Sequence, residues 1–118
     1  MPPRSPRQRL QDILDAIDEI ERFTAGKSFE RYAADALVRR AVERLVEIVS
    51  EATRHLPQSL KDDHPSVPWR QVADIGNVLR HAYDRLNDRR VWTVVTDDLA
   101  PLKQAVQAMV RDIEKGKA

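Results

Sequence analysis

Residues 29–56 read FERYAADALVRRAVERLVEIVSEATRHL, twenty-eight positions without a proline or glycine. Leu37 or Val38, Val42, Leu45, Val49, Ala52 and Leu56 keep a near-heptad apolar stripe through it. A pattern of that period predicts one long amphipathic helix, about 40 Å at 1.5 Å per residue. A chain that spends so much of its length on one stripe packs it against shorter helices, so the expected fold is all-α.

The flanks repeat the pattern. Before the long stretch, Leu10, Ile13, Leu14, Ile17, Ile20 and Phe23 recur at spacings of three and four, which predicts a helix from Gln8 to Phe23. Gly26 supplies its stop, and Ser28 a cap for the next helix. After it, residues 57–68 hold Pro57, Pro65 and Pro68 and read as a loop. A third helix is predicted from Trp69 to about Leu86, with Val72, Ile75, Leu79, Ala82 and Leu86 inward. The run Val91-Trp92-Thr93-Val94-Val95 is β-branched, yet a lone strand would have no partner, so it reads as a short helix whose Trp92 closes the core. Thr96 then caps a last helix from Asp97 to about Glu114, with Pro101 tolerated in its first turn. The expectation is an antiparallel bundle of four main helices plus one short one, forming one domain over residues 1–118 with residues 1–7 and 115–118 frayed.

Composition narrows the function. The chain has 118 residues, enough to bury roughly 65% of the surface its unfolded form exposes. It has no cysteine, and its three histidines lack metal-ligand spacing, so neither a thiolate site nor a zinc-like cluster is expected, and no cofactor. No apolar run reaches the roughly 20 residues that cross a bilayer, and the first residues lack a signal-peptide core, which predicts a cytoplasmic protein without a membrane partner. Twenty basic side chains against nineteen acidic ones leave a net charge of +1, which argues against strong nonspecific polyanion binding but not against a local basic cleft. Arg39-Arg40 and Arg89-Arg90 read as surface charges.

The chemically suggestive stretch is Gly76-Asn77-Val78-Leu79-Arg80-His81-Ala82-Tyr83. Helical spacing puts Asn77, Arg80, His81 and Asp84 within reach of one patch. An imidazole beside a guanidinium and a carboxamide suits RNA cleavage without metal, in which a ribose 2′-OH attacks the adjacent phosphate, a His moves protons and an Arg offsets growing negative charge. The same residues would also make an ordinary solvated helix face.

Further landmarks narrow that choice. Val67-Pro68-Trp69-Arg70, then the stretch above, then Val91-Trp92 and Asp97-Asp98-Leu99-Ala100-Pro101-Leu102 follow in an order and spacing that resembles the HepT-like proteins of the HEPN superfamily. Ser50-Glu51-Ala52 is similar to a small-Glu-Ala step of the same family. The resemblance implies a HEPN-like helical fold and a metal-independent ribonuclease toxin that works as a homodimer beside a minimal nucleotidyltransferase antitoxin. Its hallmark is Arg-x4-His-x-Tyr, with Asn commonly after the Arg. His81, Tyr83 and Asn77 match it, but Gly76 stands where the Arg belongs, so Arg80 is the nearest residue to supply the charge. The resemblance further implies that the antitoxin attaches AMP to Tyr83. An alternative is a HEPN protein that lost turnover with Gly76 and kept a role as binding partner of the nucleotidyltransferase.

Overall fold

The computed structural model describes residues 4–81 and 85–116, without the side chains of residues 81 and 85–87. Among the described residues every regular element is helical, as the apolar spacings require: α1 (Pro6–Thr24), α2 (Phe29–Ala34), α3 (Ala36–Arg54), α4 (Gln58–Asp62), α5 (Trp69–His81), α6 (Arg85–Thr93), a π-helical segment (Val94–Asp98) and α7 (Leu99–Glu114). Helix α3 packs against both α1 and α5, and α7 covers the other side of α1. The core lies between these four, with Ile13, Ile17, Val46, Val72, Leu102 and Val106 among its most deeply buried side chains. No helix among the described residues is long and apolar enough to cross a membrane.

Local chemistry sets the helix boundaries. Ser5 Oγ accepts from Gln8 N–H while Gln8 Oε1 accepts from Ser5 N–H, a reciprocal cap that starts α1 inside the segment expected to fray. Gly26 turns the chain at φ +70°, and Ser28 caps α2 through Arg31 N–H, both as the sequence predicts. The single helix expected over 29–56 is broken at Asp35. There the backbone turns extended (φ −104°, ψ 96°) and the carboxylate accepts from Val38 N–H at 3.1 Å, so a new helix starts. The loop expected over 57–68 contains the short helix α4.

Two further expectations change. Thr96 does not cap the last helix: it sits inside the π-helical segment and its hydroxyl donates to Trp92 O at 3.0 Å. The path from α6 into α7 stays helical, and Leu99 N–H reaches back five residues to Val94 O. Pro101 explains the wider turn, because it has no N–H and its ring crowds the carbonyl four residues earlier. Phe23, the last of the apolar residues spaced along α1, is 42% exposed, and of the pair Leu37 and Val38 it is Val38 that packs on the core while Leu37 is 81% exposed.

Candidate active site

Helix α5 is held against α3 at one close approach. Ser50 of α3, almost fully buried, donates its hydroxyl to Ala73 O at 2.8 Å and accepts from Gly76 N–H at 3.2 Å. Val72, Ile75 and Leu79 fill the core from the same face of α5, so Asn77 and Arg80 are turned outward. A second anchor sits at the start of the helix, where Trp69 Nε1–H donates to His64 O at 3.0 Å and ties the preceding loop down.

Asn77 and Arg80 open onto a shared cleft of about 530 Å³, also lined by Ala73 and Asp74 of α5, Arg54 at the end of α3 and Lys61 of α4. Three cations thus meet one carboxylate. Burial holds the Lys61 ammonium below the usual lysine range. Beside the cleft, Glu51 accepts a 2.8 Å hydrogen bond from His55, which lowers its carboxyl below the usual range; the nearby charges of Arg54 and Arg80 lower it further. The arrangement can bind a phosphate and offset charge that grows on it.

Of the residues singled out from sequence, the structure brings Asn77 and Arg80 together. His81 ends α5 directly after Arg80, but its side chain lies outside the described residues, as do Tyr83 and Asp84. Sequence reasoning missed Arg54 and Lys61, because their place in the cleft depends on how α3 ends and where α4 lies. Of the arginines read as surface charges, Arg40, Arg89 and Arg90 are exposed and Arg39 is not. Arg39 is half-buried and pairs with Asp88 at 3.5 Å, and Arg89 lies 3.8 Å over the Phe29 ring, so both help join α2, α3 and α6.

Residues 13–109, from α1 through most of α7, match the family described as ribonuclease HepT-like. The chain belongs to that family. It is 39% identical over 100 residues to "Probable ribonuclease HepT" of Thermococcus cleftensis, covering 85% of this chain and 91% of that one. A relative named as an RNase in Caldanaerobacter subterraneus is 30% identical over 108 residues, with 92% and 96% covered. Another in Methanocaldococcus jannaschii is 30% identical over 114 residues, with 97% and 94% covered. No solved structure matches the chain.

Gly76 of this HepT-like chain sits at the tight crossing of α3 and α5. A Cβ on residue 76 would lie 2.7 Å from Ser50 Oγ and 3.2 Å from Ser50 Cβ. A side chain at residue 76 would require Ser50 to shift, and the guanidiniums that line the cleft come from Arg54 and Arg80.

Proposed function

We propose that the chain is a metal-independent endoribonuclease, the toxin of a toxin–antitoxin pair, with His81 as general acid and base. The observation that carries this reading is the cation-lined cleft into which Asn77 and Arg80 open, at the end of α5 where His81 follows. In the reaction, the ribose 2′-oxygen forms a bond to phosphorus as its proton leaves to an imidazole. The bond to the 5′-oxygen breaks as that oxygen takes a proton. A 2′,3′-cyclic phosphate and a 5′-hydroxyl result, and no cofactor is consumed. Arg80 offsets the charge growing on the phosphoryl oxygens, and the Asn77 amide donates to one of them.

The enzyme acts in the cytoplasm as a homodimer. Its control is a partner nucleotidyltransferase that attaches AMP to Tyr83, placing an anionic phosphate where the RNA phosphate binds. The test compares wild type, His81→Ala and Arg80→Ala on total RNA in the presence of chelator. His81→Ala should lose on the order of 10²-fold or more, and Arg80→Ala about as much. Wild type and His81→Ala equally silent would sink the enzyme reading.

A second reading is favoured by one observation, the absence of room for a side chain at Gly76. In it the protein has lost turnover and serves as a binding partner of the nucleotidyltransferase. Silent RNA assays together with a stable complex and AMP transfer to Tyr83 would select it.

A further inference from the structure

We infer that Arg54 and Lys61 form a backbone-phosphate subsite that holds the RNA strand beside the scissile phosphate, an assignment that rests on the ribonuclease reading. Both residues lie outside the motif helix, one closing α3 and the other on α4, yet both line the same cleft as Asn77 and Arg80. From Ala73 to Arg80 the cleft follows α5 for seven residues, about 10 Å at 1.5 Å per residue. A strand that places one phosphate at Arg80 therefore continues along the cleft, where Arg54 and Lys61 meet its neighbours.

The charges fit that occupant. Arg54 and Lys61 come to the cleft from two different elements and set two positive charges along it beside that of Arg80. Lys61 is half-buried with its ammonium partly stripped of water, a cost that an anion entering the cleft would offset. Arg54 presents a planar fork of donors suited to two oxygens of one phosphate. The lining is polar and open, which suits a solvated sugar-phosphate chain better than the apolar surface of a protein partner. Contacts of this kind position the strand without reading its bases, so the subsite sets affinity and register, not sequence preference.

The test is fluorescence anisotropy with a labelled 2′-O-methyl RNA single strand, which cannot be cleaved, titrated at several NaCl concentrations. Wild type, Arg54→Gln, Lys61→Gln, the double variant, and the charge-keeping Arg54→Lys and Lys61→Arg are compared. Arg22→Gln, on an exposed part of α1, serves as control. Each phosphate contact on a single strand contributes about 0.7 to the slope of log K against log salt. The Gln variants should each flatten the slope by about 0.7 and the double variant by about 1.4, while the charge-keeping variants and Arg22→Gln retain it. In cleavage assays KM should rise with kcat unchanged. If the double variant keeps wild-type affinity and slope, the subsite is refuted and the ribonuclease reading survives. Wild type that neither binds the strand nor cleaves RNA removes both.

Discussion

A Cβ placed on Gly76 would sit 2.7 Å from Ser50 Oγ, and Ser50 cannot swing away without giving up its bonds to Ala73 O and Gly76 N–H. Two effects oppose each other in Gly76→Ala. Helix propensity favours alanine by about 1 kcal/mol, while overpacking a tight contact costs about 1–3 kcal/mol. Because the hydroxyl is buried and bonded, overpacking wins, and urea denaturation should show a net loss of stability. In a Ser50→Ala background the oxygen is gone and only the 3.2 Å carbon contact remains, so the same substitution should cost much less. The pair should couple by about 1 kcal/mol or more in a double-mutant cycle; additive losses would show that the contact does not decide residue 76. The same Cβ belongs to arginine, so Gly76→Arg cannot place a guanidinium here without first moving Ser50. That a glycine stands at residue 76, in the middle of a predicted helix, was legible in the sequence. Its contact with Ser50 was not, since Ser50 lies 26 positions away across a helix crossing.

At the scale of elements, the stripes of α1, α5 and α7 were readable because each buries one continuous face, and Val72, Ile75 and Leu79 point inward as their spacing demands. Periodicity could not find the break at Asp35, because the apolar rhythm on the two sides belongs to two helices that both face the core. Nor could it tell that Phe23 stays 42% exposed. Helix α2, six residues long, is too short to persist alone and is held by its aromatic contacts. Tyr32 is fully buried and stacks on Trp92 with ring centroids 5.0 Å apart, and its hydroxyl has no hydrogen-bond partner among the described residues. Burial pushes the phenol well above the usual tyrosine range; Glu43 and Asp88 add to the rise and Arg39 opposes it. Below about pH 10 both folded and unfolded chains keep the phenol protonated, so it adds no pH dependence. Above that the unfolded chain releases the proton first, and stability must fall as pH rises. Tyr32→Phe should therefore flatten the alkaline arm of urea midpoints measured from pH 7 to 11. It should also hold or raise stability at pH 7, by up to about 1 kcal/mol, because an unsatisfied hydroxyl is removed. Parallel alkaline arms in the two proteins would contradict the assignment.

For the whole molecule, net charge was the least informative part of the sequence. A total of +1 argues against polyanion binding, but binding responds to where charges lie, and three cations share a single cleft. The proton transfers raise a further question of scale. Cleavage requires one group to accept the 2′-proton and one to protonate the 5′-oxygen. Each chain brings one motif imidazole, His81, and the described lining of the cleft adds cations, an amide and the carboxylate of Asp74 but no second imidazole. A two-fold axis near the end of α5 would set a second His81 beside the first, so that one imidazole takes the 2′-proton while the other protonates the 5′-oxygen, which is the physical case for the proposed homodimer. Light scattering should then give about 27 kDa, twice the 13.6 kDa of one chain. Specific cleavage activity should fall on dilution through the dissociation range. Adding excess His81→Ala chain to wild type should depress activity beyond simple dilution, because a mixed dimer holds one imidazole and cannot divide the two transfers between a pair. A 13.6 kDa monomer whose activity per chain is independent of concentration, and unaffected by the variant, would place both proton transfers within one protomer.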